Sequence, residues 1–140
     1  MIFRLIIVLA HLQAILIPIF IGIKSINKLN HIKNSKLISW GFVSLGLASM
    51  FEMIDHTQTE WIYIDHSSLF NWLFYSLLSI GLTFLSISII KNKYLILTNF
   101  LTCILAIVSY WIFGKSVTLV FQVLISIFSV SYTHLRAHET

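Results

Sequence analysis

The sequence predicts an all-α, polytopic transmembrane helix bundle with five visible spans. Of the 140 residues, 58% are apolar and 10% are charged, and the mean hydropathy is +0.92. Such a chain has too little polar surface to cover a water-soluble globule. A helix needs about 20 mainly apolar residues to cross a bilayer, and five runs of this kind follow one another, the last of them incomplete.

The five runs are separated by short polar connections. The first run follows Arg4 and is too long, and too poor in small-residue cleavage signals, for a signal peptide, so we interpret it as a helix. All five runs lie in one transmembrane helical domain, residues 1–129. The predicted spans are residues 5–23, 37–56, 69–90, 94–113 and 117–129.

Lysine and arginine are distributed unevenly between the two ends of these spans. One side contains only Arg4 and Lys115 before the last span, and the other contains six lysines. Cytoplasmic loops are enriched in lysine and arginine, so the lysine-rich side is predicted to be cytoplasmic. We therefore expect a multi-pass protein of the inner (plasma) membrane with its N-terminus outside. The six lysines are Lys24, Lys28, Lys33, Lys36, Lys91 and Lys93.

The last eleven residues, 130–140, interrupt the fifth apolar run. Their sequence, Val-Ser-Tyr-Thr-His-Leu-Arg-Ala-His-Glu-Thr, resembles the translation of a transposase sequencing adapter. We interpret this segment as a non-native tail and leave its charged groups out of the functional prediction. On this interpretation the natural chain is expected to be truncated at its C-terminus, within the fifth helix.

The acidic side chains are concentrated in residues 52–66. Outside the tail, this segment contains every carboxylate side chain of the protein. Glu52, Asp55 and His56 are three or four residues apart, so they share one helical face. A rise of about 1.5 Å per residue places Glu52 about 22 Å along a span of about 30 Å, in the outer half of the bundle. A carboxylate at this depth needs a partner.

His11 is the predicted partner of Glu52. With the N-terminus outside, its depth of about 10 Å below the outer boundary is close to that of Glu52. His11, Pro18 and Gly22 fall on one helical face, which predicts that this face is turned inwards. The polar groups are thus expected in the outer half of the bundle, and the inner half is expected to be nearly dry. Further polar side chains at similar depth are Asn71, Tyr75, Thr118 and Gln122.

Glutamate, aspartate and histidine at one depth are suitable ligands for zinc or iron. The predicted metal ligands are His11, His56 and Asp65, with zinc as the candidate cofactor. Catalytic roles are predicted for Glu52, Asp55 and Asp65. A proton relay through the same groups is equally compatible with a carboxylate beside histidine in a membrane. In a third interpretation, the loop residues are solvated at a helix rim, where Asp65 or Ser67 caps the third helix.

Two short segments resemble a known family. Residues 49–52, Ser-Met-Phe-Glu, and 64–70, Ile-Asp-His-Ser-Ser-Leu-Phe, resemble the second-to-third helix region of the CREST group of seven-helix membrane hydrolases. The resemblance covers residues 49–76; the group includes alkaline ceramidases, haemolysin III-like proteins and adiponectin receptors. It implies that Ser49, Asp65 and, less closely, His56 correspond to zinc-site residues of that group. The His-x-x-x-His pair of its seventh helix has no counterpart before residue 130.

These residues lead to two hypotheses. As an enzyme, the protein would be a metal-dependent lipid hydrolase, in which zinc lowers the pKa of a bound water and the water cleaves an amide or ester. As a non-enzymatic protein, it would be a structural, proton-transport or solute-transport module in which Glu52 and His11 form a charge-assisted pair. The expected partners are the lipid bilayer and a lipid substrate. The lysines are explained by topology, so no nucleic acid is expected, and no oligomeric state is predicted.

Overall fold

The chain forms five α-helices in the computed structural model, which describes residues 2–28, 34–58 and 69–137. Each helix contains a segment of 20 to 22 residues that is long and apolar enough to cross a membrane. The predicted class, an all-α bundle with five spans, is confirmed. The helices are α1 (Ile2–Lys28), α2 (Ser35–Gln58), α3 (Leu69–Ile89), α4 (Lys93–Phe113) and α5 (Lys115–Ala137).

The fifth helix is longer than the predicted span. The span was predicted to end at residue 129, but α5 continues to Ala137. Residues 130–137 contain no glycine or proline, so nothing in their sequence ends a helix there. The apolar run ends near residue 129, whereas the helical backbone does not. The non-native origin of residues 130–140 stays a prediction.

Short turns join the last three helices. The Asn92 side chain accepts hydrogen bonds from the backbone N–H groups of Tyr94 and Leu95, at 2.9 and 3.4 Å, and so caps α4. At the other end of α4, Gly114 has a φ of 75°, which glycine adopts without strain, and its N–H donates to the Tyr110 carbonyl at 3.0 Å. Such short connections make consecutive helices antiparallel neighbours.

Helix α2 lies between α1 and α3. Among the described helices, α1 contacts only α2, whereas α3 also contacts α4 and α5, and α4 contacts α5. We call the end of the bundle where α2 finishes the acidic end, and the end that contains Lys91 the lysine end. Because consecutive helices alternate in direction, the N-termini of α1, α3 and α5 all lie at the acidic end.

Glycines allow α2 to approach both neighbours closely. A Cβ atom at Gly46 would lie 2.6 Å from Ile19 Cγ1 and 2.8 Å from the Ile15 carbonyl oxygen on α1. On the opposite side of α2, a Cβ atom at Gly81 of α3 would lie 2.9 Å from the Gly41 carbonyl oxygen. In lipid, where apolar burial gives little driving force between helices, such close packing holds them together.

The interior of the bundle is made largely of small and polar residues. Ser39 donates to the Gly22 carbonyl at 2.7 Å, and the Asn99 amide donates to Ser86 Oγ at 2.8 Å, both in the half nearer the lysine end. The prediction of a nearly dry inner half was therefore wrong. These side chains donate hydrogen bonds to neighbouring helices, so they are buried away from lipid. The buried residues of α3 are Asn71, Ser76, Ser79, Gly81, Thr83 and Ser86.

Gln122 connects α5 to α3. Its Nε2 donates to the Tyr75 carbonyl at 3.1 Å and to Ser79 Oγ at 3.0 Å. Replacing Gln122 with leucine removes both bonds and is expected to lower the free energy of unfolding by about 1 kcal/mol, the scale of interhelical hydrogen bonds in membranes. Unfolding of the purified protein by sodium dodecyl sulfate measures this change. The matched variant Gln13→Leu, on an exposed part of α1, should show no loss, and an equal loss in both variants would contradict the prediction.

Candidate metal site and adjoining cavity

Three of the predicted site residues meet where α1 packs against α2. His11 Nε2 lies 3.8 Å from Glu52 Oε2. The imidazole rings of His11 and His56 have centroids 5.3 Å apart and meet edge to face. One donor atom from each of the three residues lies within 4.8 Å of the other two. We call these three residues the His–Glu cluster.

The packing of α1 on α2 places the cluster. Glu52 and His56 are four residues apart on α2, so both side chains leave the helix on the same side. His11 lies one turn before Ile15, and the backbone of Ile15 packs closely against Gly46 across the interface. The close approach at Gly46 therefore brings the His11 ring to the level of Glu52.

A backbone hydrogen bond determines the tautomer of His11. Nδ1 of His11 lies 2.8 Å from the carbonyl oxygen of Ile7. A carbonyl oxygen only accepts, so Nδ1 must carry the proton and donate it. In the neutral ring, Nε2 then has a free lone pair, and Nε2 is the atom that faces Glu52. Histidines that bind metals are commonly oriented in this way, through a hydrogen bond from the other ring nitrogen.

The cluster is partly shielded. The side chain of His11 is 15% exposed and that of Glu52 is 37% exposed. The carboxylate is thus close to apolar surroundings but still open on one side. A bound cation would stabilise its charge there, and water or a solute can still reach it.

A polar cavity of about 120 Å³ adjoins the cluster at the acidic end. Asp55 and Asn71 are 4% and 6% exposed, and Lys115, the first residue of α5, also lines the cavity. The cavity thus combines carboxylates, an imidazole and an ammonium group in a small volume. Its lining residues are Glu52, Asp55, His56, Asn71, Phe74, Tyr75 and Lys115.

Lys115 is the polar lining residue that was not predicted from the sequence. It was interpreted only as a topology signal at the outer ends of the fourth and fifth spans. One signal was available: the turn at Gly114 and Lys115 was predicted on the same side as the acidic segment. A lysine stem is long enough to carry its ammonium group into such a cavity.

The remaining predicted residues divide into several groups. Asn71 and Tyr75 line the cavity as predicted. Thr118 is buried elsewhere, between α4 and α5, where its hydroxyl donates to the Ala106 carbonyl at 3.2 Å, and Gln122 holds α5 on α3. Asp65 lies outside the described residues, so its metal-binding and catalytic roles stay predictions.

The serine of the family resemblance makes an ordinary helical contact. Ser49 Oγ donates to the Leu45 carbonyl one turn earlier on α2, at 3.3 Å. Hydroxyls inside transmembrane helices often bond their own backbone in this way. Ser49 therefore has a structural role that needs no metal.

The cluster has the donor set of a zinc site. Zinc takes imidazole nitrogen and carboxylate oxygen at about 2.0–2.2 Å in a tetrahedral arrangement, which places neighbouring donors about 3.3 Å apart. The donors of the cluster lie within 4.8 Å of one another, so closing on an ion requires movements of about an ångström. Side-chain torsions can supply such movements without a change of rotamer. Two imidazoles and one carboxylate would leave a fourth position for water or another ligand.

The fold and the site together define a multi-pass membrane protein with a polar cluster of histidine and glutamate side chains near one end of its helix bundle. Residues 3–108 match the family model 7TM_cyano, described as seven transmembrane receptor. This match covers well over half of the chain, so the protein belongs to that seven-transmembrane family. The match supports a membrane helical protein but not the resemblance to the CREST hydrolases. Comparison with curated proteins and with solved structures gave no significant match.

Proposed function

We propose that the protein is a membrane receptor that binds a divalent metal ion, with zinc as its ligand, through His11, Glu52 and His56. The observation that carries this proposal is the His11 ring, whose Nδ1–H is held by the Ile7 carbonyl and whose Nε2 faces Glu52 at 3.8 Å. The family description, seven transmembrane receptor, supports the receptor class. In the orientation that the lysines predict, the acidic end faces outside the inner membrane, so the receptor would meet its ligand there.

The chemistry of the donors favours zinc over harder cations. Magnesium and calcium prefer sites made of oxygen ligands alone, whereas imidazole suits zinc and other transition metals. A dication beside Glu52 would also stabilise a carboxylate that lies within a membrane-spanning helix. No proton needs to be taken up to achieve this, because the His11 ring can bind in its neutral form.

Zinc binding to the purified full chain tests the proposal. Isothermal titration calorimetry in detergent should give one zinc per chain. The variants His11→Gln and His56→Gln each remove one donor and should weaken binding by about tenfold or more. Loss of a group that only supports a metal ligand already weakens binding by about this much, and loss of a ligand itself should weaken it at least as much. The matched variant His134→Gln, at an exposed position of α5, should bind zinc like the wild type. A wild-type protein without stoichiometric zinc, or three variants with equal affinity, would contradict the proposal.

A metal-dependent lipid hydrolase is the second candidate, and the donor set is what favours it. Two imidazoles with one carboxylate and an open position is also the set of several catalytic zinc sites. In this function a zinc-bound water would attack a lipid amide or ester, and Asp55, buried beside Glu52, would be the general base. Fatty-acid release from mixed lipid vesicles by the zinc-loaded protein, lost in Asp55→Asn with zinc retained, would support it. Zinc binding without any fatty-acid release would contradict the hydrolase function and leave the receptor function as the single candidate.

A further inference from the structure

A row of buried polar side chains follows α3 between two cavities at opposite ends of the bundle. The first cavity is the one at the acidic end, where Tyr75 and Asn71 of α3 contribute to its wall. The second, of about 500 Å³, lies at the lysine end and is lined by Asn34, Ser88, Ile89, Ile90, Lys91 and Ile96. Between them, the buried polar residues of α3 are Ser76, Ser79, Thr83 and Ser86, and α4 contributes Asn99.

Three polar atoms in this row lack a hydrogen-bond partner of ordinary length among the described residues. Hydroxyls in helices commonly donate to the carbonyl one turn earlier, as Ser79 does to Tyr75 at 2.8 Å. The Thr83 hydroxyl instead lies beside the Cys103 thiol, which is a weak partner. The three atoms are Ser76 Oγ, Thr83 Oγ1 and Asn99 Oδ1.

Such atoms indicate a small polar ligand. A buried polar group without a partner costs about 1–3 kcal/mol. All three residues are more than nine-tenths buried, so a large solute cannot reach them. Water is the usual ligand of such groups in protein interiors, where each buried water makes about three hydrogen bonds.

The spacing of the row suits a chain of water molecules. Steps of three, four and three residues along α3 correspond to about 4.5, 6 and 4.5 Å. One water that bridges two hydroxyls spans at most about 5.6 Å, two hydrogen bonds of about 2.8 Å. A single water can therefore connect the side chains of the three-residue steps, and the four-residue step needs two waters. Asn99 extends it towards the lysine end, since it bonds Ser86 and lies one turn from Ile96 in the second cavity.

We propose that this row is a hydrated path that conducts protons across the bundle, from the Glu52 cavity to the cavity at Asn34 and Lys91. A proton that enters at one end forms a new O–H bond on the first water, which releases a proton to the next, so one proton leaves at the far end. No other reactant is needed, and a membrane potential or pH gradient drives the transfer. The proposal does not depend on zinc binding, because the row itself, from Ser76 to Ser86 with Asn99, contains none of the proposed zinc ligands.

Proton flux into liposomes tests the path. The full chain is reconstituted with a pH-sensitive dye inside, and a potassium diffusion potential set by valinomycin drives protons inwards. The dye should report acidification faster than in protein-free liposomes. Thr83→Val and Asn99→Leu each remove a hydrogen-bonding group, and a barrier increase of about 1–3 kcal/mol corresponds to a rate lower by about fivefold to a hundredfold. Thr83→Ser keeps the hydroxyl and should keep the rate.

The matched control is Thr98→Val. Thr98 is exposed on α4 and donates to the Tyr94 carbonyl at 2.9 Å, so this variant makes the same chemical change away from the row. It should conduct like the wild type. Acidification no faster than in protein-free liposomes, with the protein helical and monodisperse, would overturn the proposal. So would equal rates in the wild type, Thr83→Val and Asn99→Leu, since the row would then be only a packing surface.

Discussion

Replacing Lys115 with methionine is expected to lower the free energy of unfolding by about 2–3 kcal/mol. Among the described residues that line the acidic-end cavity, Lys115 is the only lysine or arginine, and it shares that cavity with Glu52 and Asp55. Asp55 is 4% exposed, so its carboxylate cannot turn to water once the ammonium group is removed. Removing one partner from a fully buried ion pair costs about 3–5 kcal/mol, and the partial exposure of Lys115 reduces the expected loss.

A double-mutant cycle checks this expectation. Unfolding by sodium dodecyl sulfate is compared for the wild type, Lys115→Met, Asp55→Asn and the double variant. The double variant should be more stable than Lys115→Met, because no carboxylate at position 55 is then left without its counter-charge. Lys93→Met, at an exposed position near the lysine end, is the matched control and should change stability by less than about 0.5 kcal/mol. An equal loss in Lys115→Met and Lys93→Met would show that the cavity needs no cation.

Replacing Gly46 with alanine is expected to separate α1 from α2 and to weaken the proposed zinc site. The new Cβ would lie 2.8 Å from the backbone oxygen of Ile15, which cannot move aside by changing a side-chain torsion. Overpacking of this kind costs about 1–3 kcal/mol. It also moves His11 away from Glu52 and His56, so zinc affinity should fall by about tenfold or more, as in His11→Gln.

The matched variant is Gly41→Ala, the same change on the other side of α2. Its Cβ would meet Leu85 Cγ of α3 at 2.7 Å, so it disturbs α2 and α3 but leaves α1 in place. Both variants should be less stable than the wild type, and only Gly46→Ala should lose zinc affinity in calorimetry. Equal zinc affinities in the two variants would mean that the spacing of α1 and α2 does not position His11.

The spans and the His11–Glu52 contact were predictable because they depend on two nearly constant lengths, the thickness of the bilayer and the rise of a helix per residue. The length of an apolar run decides whether a helix can cross a bilayer, and all five predicted spans are helical. The rise of a helix per residue is nearly constant, so alternating directions place His11 and Glu52 at the same level without any knowledge of packing. The same argument placed Asn71 and Tyr75 at the cavity.

The polar interior and the role of Lys115 were not predictable in this way. Ser86 and Asn99 lie in strongly apolar segments, so the mean hydropathy of those segments gives no sign of them. They form a hydrogen bond only when α3 and α4 pack together. Lys115 is at the end of a span, where lysine usually marks topology. Only the tertiary arrangement shows that it lines the same cavity as Asp55. The separation of Thr118 from the site has the same cause, since α5 turns that side chain towards α4.

The single interface of α1 has a thermodynamic consequence. Among the described helices α1 contacts α2 alone, so α1 can dissociate from the bundle while the other four helices stay assembled. A zinc ion held by His11 on α1 and by Glu52 and His56 on α2 would have to be released in that step. By linkage, zinc at a hundred times its Kd would make the dissociation of α1 less favourable by about 2.7 kcal/mol. The ion concentration on the side of the membrane that the acidic end faces would then set the fraction of molecules in which the first helix is docked.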